Sequence, residues 1–464
     1  MIATVRRHTG SSTIAFTVVG LVLVAAYLVA FFLLIEGSTY DIWGAMLVGP
    51  VLFVLALPVL ARQARREGDA RVFWLLTLAL AVKFGFSVFR YYHGFYVVNG
   101  ADARGYDDYG TDIALRFLDG DFGSGLENLT ETNFVRFFTG LIYTVIRPSA
   151  LSGFLIYAWL AFWGTYFFYR AFVLALPEGG RLSYARWLFF MPSILFWPSS
   201  IGKESLLVFG LGIAAFGAAK VTAERVLPGL AVCAIGLGFA SLVRTPAAVA
   251  MGVGLMCGGL LRRPSVHLRQ LRPIARLVSF ALFSGIAVVI AMLLVGYLER
   301  SAPGRAGGSN VETLIAESQR VTSTGGSEFE PVPITSPTGL VIVPVTVLFR
   351  PFPFEANNGL AVLTSIEASV LLLFSVMRIR SIWAAVTSIR RSPYIAVALG
   401  NVAASIVSLS PVANFGIIAR QRTLIYPMYL VLLCAGARRR EKREPTTASA
   451  PAEVQPVAAV GGRT

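Results

Sequence analysis

Long apolar runs follow one another almost without pause along this 464-residue chain. A helix crossing the hydrocarbon of a bilayer needs about 20 mostly apolar residues, because there the backbone must satisfy its own polar groups. Runs of this kind occupy residues 13–35, 42–61, 72–90, 149–174, 184–198, 204–220, 228–243, 246–261, 275–297, 359–377, 394–410 and 423–437. They predict an all-α, polytopic membrane protein with about twelve transmembrane helices. Composition agrees, since 56% of residues are hydrophobic and 14% charged, with a mean hydropathy of +0.69. No ordinary soluble domain has that balance. Cys233, Cys257 and Cys434 all lie inside apolar runs, which indicates neither a disulfide framework nor a cysteine metal site. The first run is too long for a signal-peptide core and has no small-residue cleavage pattern after it, so it reads as a retained span.

A net charge of +15 would suit nucleic acid if the cations shared one polar face. Instead they gather between apolar runs, as membrane orientation requires, and no nucleic-acid partner is expected. With Arg6 and Arg7 in the cytoplasm, every second connection is basic: 62–71, 170–186, 220–225, 262–276, 378–391 and 438–443. This regularity holds if 134–146, short for a span and carrying Arg136, lies along the outer surface as a juxtamembrane helix. The expected order is then a three-helix membrane segment (1–90), an acidic outer loop with the juxtamembrane helix (91–148) and central membrane helices (149–297). A second outer loop acting as a lid or linker (298–358), C-terminal membrane helices (359–437) and a disordered cytoplasmic tail (438–464) follow. Both termini face the cytoplasm and the candidate site faces outward from the cell membrane.

The loop 91–133 reverses the prevailing charge, with eight acids against two arginines, Arg104 and Arg116. Asp102, Asp107, Asp108 and Asp112 fall within eleven residues of it. Carboxylates at a membrane edge are costly enough to suggest a site, the alternative being a solvated acidic loop. The same topology puts Lys203 and Glu204, Arg244, Arg350 and Glu355, and Asn414, Arg420 and Arg422 at the outer ends of spans. Cations there oppose the positive-inside preference, and a membrane-embedded phosphate is a reason for them: arginine offers it a planar fork and lysine a compact charge. The competing explanation is that they pair with the outer acids, or with Glu204 and Glu355, to hold helices together.

The succession GADARGY, IALRFLDGDF, IRPSALSGFLIY, FFYRAF and FFMPSILFWPSSIGKES, spread over about 100–220, resembles the amino-terminal half of the C-type (GT-C) membrane glycosyltransferases. That superfamily includes the protein O-mannosyltransferases and the lipid A aminoarabinose transferases. The resemblance implies transfer of a sugar from a polyprenyl phosphate at the outer face, with an acidic residue of the first large outer loop at the centre. In this chain the acidic loop follows the third span rather than the first, and the frequent Asp-Glu pair is replaced by Asp102-Ala103.

The residues suit that chemistry. A phosphate is already a good leaving group, so the enzyme must deprotonate an acceptor hydroxyl, hold both reactants and stabilise the departing phosphate. Asp102 is the first candidate for general base. Asp107 or Asp108 stands in reserve, to act as base, orient the acceptor or bind a divalent cation. Lys203, Arg244, Arg420 and Arg422 are the expected phosphate ligands, with Arg104, Tyr106, Glu204, Arg350, Glu355 and Asn414 completing the substrate site. No cofactor is required and no dedicated metal site is expected, although His93 with Asp102 offers a metal alternative. No P-loop is present, because Gly202-Lys203 is followed by Glu204. The glycine runs 210–217 and 252–259 lie in apolar spans and read as helix-packing surfaces. The expected partners are a polyprenyl-phosphate sugar, the bilayer, and a cell-envelope glycan or lipid acceptor. Two rival functions remain: an O-antigen-type repeat polymerase, which would also use outer arginines, and a lipid-linked glycan transporter or flippase, for which charges belong mid-span in paired repeats.

Overall fold

The computed structural model describes residues 8–98, 102–223, 225–261, 285 and, apart from 321, 324–327, 333, 335 and 357, residues 319–436. Among the described residues the protein is helical, with one isolated antiparallel bridge between Glu328 and Asn414 and no strand. The helices are α1 (His8–Gly37), α2 (Tyr40–Glu67), α3 (Ala70–Tyr92), α4 (Asp102–Leu118), α5 (Glu131–Ile146), α6 (Ala150–Ala175), α7 (Arg181–Phe190), α8 (Pro192–Phe196) and α9 (Lys203–Thr222). They continue as α10 (Val226–Val243), α11 (Thr245–Leu260), α12 (Gly339–Phe349), α13 (Gly359–Met377), α14 (Ile379–Thr387), α15 (Pro393–Leu409), α16 (Phe415–Gln421) and α17 (Tyr426–Cys434).

Seven described helices are long and apolar enough to cross a membrane: α1, α2, α3, α6, α9, α10 and α13. The pair α16–α17, bent by 60°, makes eight if it is one span. The chain is therefore an all-α membrane protein. Three of the remaining apolar runs are helical but fall short of that length. Residues 184–198 break at Pro192 into α7 and α8, whereas 246–261 and 394–410 form α11 and α15 at the expected lengths, 16 and 17 residues, short for a crossing. The run 275–297 apart from residue 285, and the tail 438–464, lie outside the described residues.

Local chemistry explains where the helices stop and start. Gly68, at φ 65°, closes α2 by donating its amide to the carbonyls of Ala64 and Arg65, and Asp69 opens α3 by accepting from the Arg71 amide at 3.0 Å. Ser149 caps α6 through the Ser152 amide, and Asn358 caps α13 through that of Ala361. The centre of the bundle is α9, packed between α6 and α10. Gly212 and Gly164 meet there so closely that a Cβ on Gly212 would overlap the Gly164 backbone. The glycine run in α9 is thus used for helix contact.

Two elements position the site. The hairpin α4–α5 docks on α10, where Phe134 and Phe138 lie edge-on to Phe239, with ring centres 5.6 and 6.0 Å away. The short α8 is held from two sides by charged residues buried in spans. Lys83 of α3 donates to the Ile194 carbonyl at 2.7 Å, while Glu367 of α13 accepts from the Ser193 amide at 2.9 Å and its hydroxyl at 2.6 Å. This clamp fixes the turn that leads from α8 to Lys203 and Glu204.

Candidate functional site

Three helix ends converge at one end of the bundle. Asp102 is the first residue of α4, Glu204 lies in the first turn of α9, and Arg420 lies in the last turn of α16. Each charge has the sign its helix terminus favours, carboxylates at amino ends and a cation at a carboxyl end. Arg420 joins the two carboxylates. Its Nη1 donates to Asp102 Oδ2 at 2.8 Å, its Nη2 donates to Glu204 Oε2 at 2.8 Å, and its Nε lies 2.7 Å from Glu204 Oε1. The carboxylates differ in exposure: the Asp102 side chain is 61% exposed and that of Glu204 is 4%. Asn414 sets the direction of α16 by accepting from the amides of Gly416 and Ile417 at 2.8 and 3.2 Å.

Further cations surround this bridge. Lys203 is within electrostatic reach of Arg244, Glu131, Glu204 and Arg420. Arg90, in the last turn of α3, is within reach of Arg420, Glu204 and Asp102. Its guanidinium lies over Phe196 at 4.3 Å and Trp197 at 5.4 Å, and its Nη2 approaches the Ser200 hydroxyl at 3.4 Å. Among the described residues Arg90, Lys203 and Arg244 have no carboxylate within ion-pair distance. Arg90 Nε and Arg244 Nη1 are buried without a hydrogen-bond partner there. Arg244 also lines a cavity of about 40 Å³ with Ser405, Ser408 and Gln421. Such a set presents unspent donors to an anion.

The other carboxylates of α4 separate by depth. Asp108 and Asp112 are exposed, whereas Asp107 accepts a hydrogen bond from the buried Tyr143 hydroxyl. Burial pushes the Asp107 pKa up to about 6; the negative charges of Asp41 and Asp108 act in the same direction, and the Tyr143 hydrogen bond opposes them. Tyr106 packs its ring edge beside Gly202, and burial likewise raises its hydroxyl. Arg104 stacks over Phe95 at 5.2 Å.

Arg350, Glu355 and Arg422 form a separate group, in which Arg422 Nε and Nη2 stay buried without a hydrogen-bond partner among the described residues. Arg350 Nε donates to Glu355 Oε1 at 3.0 Å, and its guanidinium lies 4.8 and 5.2 Å from the stacked rings of Phe415 and Phe329. Burial opposes charge on Glu355, yet bonds from Arg350 and the Phe352 amide outweigh it and hold the carboxyl below its ordinary range. Arg422 is fully buried and donates to the Arg350 carbonyl. Thr322 and Phe329 bond the backbone of Ala413, so this part of the segment 298–358 straps onto the entry to α16.

Of the residues expected from sequence, the structure brings together Asp102, Lys203, Glu204, Arg244 and Arg420, with Tyr106 alongside and Asn414 supporting. The expected helix-holding pairs are present too, at Asp102–Arg420–Glu204 and Arg350–Glu355. Sequence reasoning missed Arg90, whose setting RYYHGFY looks like an ordinary aromatic membrane edge. It also missed Lys83 and Glu367, although a lone charge inside an apolar run was the available signal. His93 sits between Phe89 and Phe196, and no group of three His, Cys, Asp or Glu is placed to hold a metal ion among the described residues. No protein-family model matches this chain, and neither does any curated protein or solved structure.

Proposed function

We propose that the protein is a membrane glycosyltransferase of GT-C type, moving a sugar from a polyprenyl-phosphate donor to a cell-envelope glycan or lipid acceptor at the outer face. The observation that carries this reading is the convergence of Asp102 and Arg420 beside three cations that have no ion-pair partner among the described residues, Arg90, Lys203 and Arg244, at the ends of apolar helices. Asp102, largely exposed, takes the proton of the acceptor hydroxyl as general base. The cations receive the phosphate as the sugar leaves, in surroundings from which water is partly excluded. Full engagement of the bilayer by about twelve spans, with both termini in the cytoplasm, belongs to the same proposal.

The test is transfer by purified protein in lipid, supplied with a polyprenyl-monophosphate sugar and no nucleotide. We expect turnover, and we expect Asp102→Asn to lower it by about two orders of magnitude, the scale of a lost general base. Activity seen only with a pyrophosphate-linked oligosaccharide, giving a ladder of lengths, would assign the site to a repeat polymerase instead.

A further inference from the structure

The two carboxylates on Arg420 are not equivalent. Glu204 is almost fully buried, accepts a hydrogen bond from Nη2 at 2.8 Å and keeps Nε in ion-pair contact at 2.7 Å. Losing that partner would strand a carboxylate away from water, which is strongly unfavourable. Asp102 takes the remaining nitrogen, Nη1, through one oxygen, and is mostly in solvent, where water readily replaces the guanidinium. Glu204 is therefore the permanent partner and Asp102 the exchangeable one.

We propose that Asp102 and an oxygen of the ligand's phosphate are alternative occupants of Arg420 Nη1, with Glu204 acting as a positioning residue that holds the guanidinium in place for both. This deepens, and rests on, the reading of the site as one for a lipid phosphate. The Asp102 carboxylate is the right stand-in: it is anionic, offers a single oxygen to Nη1, and sits where Arg90 and Lys203 also bear on the same guanidinium. An arriving phosphate would draw Nη1 and the neighbouring cations to itself. Asp102 would then be released from Arg420 and left facing the acceptor hydroxyl. The site without donor keeps one oxygen of its base on Arg420, and donor binding releases it. No covalent bond is made or broken in this exchange; one charge-assisted hydrogen bond replaces another.

The exchange makes a signed prediction for binding, independent of turnover. Affinity for a polyprenyl monophosphate without sugar is measured on protein in lipid nanodiscs, for the wild type, Asp102→Asn and Glu131→Gln. Glu131 bears on Lys203 but makes no ion pair with Arg420, so its neutralisation measures the general effect of removing a negative charge nearby. We expect Asp102→Asn to bind roughly tenfold more tightly, the scale of one competing charge-assisted hydrogen bond. Glu131→Gln should change affinity by less than about twofold, since Coulomb effects between partly solvated charges are small. An unchanged or weaker affinity in Asp102→Asn, with measurable wild-type binding, overturns the exchange and leaves the lipid-phosphate reading intact. Equal tightening in both variants also overturns it, because net charge alone would then be responsible. Absence of binding by the wild type removes the lipid-phosphate reading and the exchange together. Elution position and thermal unfolding of each variant establish that the comparison is between folded proteins.

Discussion

Asp107 stands between two demands, a hydrogen bond from Tyr143 that favours its charge and a burial that opposes it. Burial prevails, and the pKa rises from 3.8 to about 6. A carboxyl whose folded pKa lies above its unfolded value contributes fully below the unfolded value, and that contribution is lost as pH rises through the folded one. Asp107→Asn keeps an acceptor for Tyr143 and removes the charge. It should therefore be more stable than wild type by about 1–2 kcal/mol above pH 7, after discounting for partial exposure, and no more stable near about pH 4. Thermal unfolding at the two pH values decides, and equal effects at both would exclude ionisation as the cause. A carboxyl that exchanges its proton near about pH 6 also has an affinity suited to a base, which keeps Asp107 next in line should Asp102 prove dispensable. At this scale the sequence shows which residue types stand out, such as Lys203, Arg244 and Arg420 at the ends of apolar runs. It does not show that Arg420 reaches Asp102 across 318 residues, because nothing local to either records the other.

Helix contacts in this bundle depend on missing side chains. Gly212 touches the backbone of Gly164, whereas Gly238 on α10 has nothing within 4 Å of the place a methyl group would take. Gly212→Ala should thus destabilise the α6–α9 contact by about 1–3 kcal/mol, the usual range for overpacking. Gly238→Ala should be neutral or stabilising by up to about 1 kcal/mol, since alanine is the better helix former. Thermal unfolding of the two variants in one detergent checks the contrast; similar losses in both would mean that the glycines matter for flexibility rather than for contact. Apolar runs made the helices legible but not which of them are whole crossings. Pro192 divides a run that reads as a span, and α11 and α15 carry the same composition as spans in fewer residues. Composition reports that a segment avoids water, and a buried half-helix avoids it as well as a crossing one. The clamp on α8 was equally hidden, since the sequence around Lys83 and Glu367 does not reveal that both reach adjacent residues, Ile194 and Ser193.

For the whole molecule, the proposed outward-facing site depends on the sidedness that the alternation of basic connections predicts. In a cysteine-free background, Ser124→Cys should react with an impermeant thiol reagent in intact cells and Ser265→Cys should not. Reaction at the Ser265 position alone would invert the protein in the bilayer and turn the site toward the cytoplasm. The bridge on Arg420 also bears on how the chain is made. Synthesis places Glu204 in the bundle 216 residues before its counter-ion exists, and among the described residues no other cation lies within ion-pair distance of it. Until the ribosome reaches Arg420, Glu204 has Arg90, Lys203 and Arg244 within electrostatic reach but no cation of the described residues in direct contact, and the helix pair α16–α17 brings that contact. The last helices thus complete the molecule electrically as well as sterically, and a nascent chain released before them lacks the guanidinium that touches Glu204.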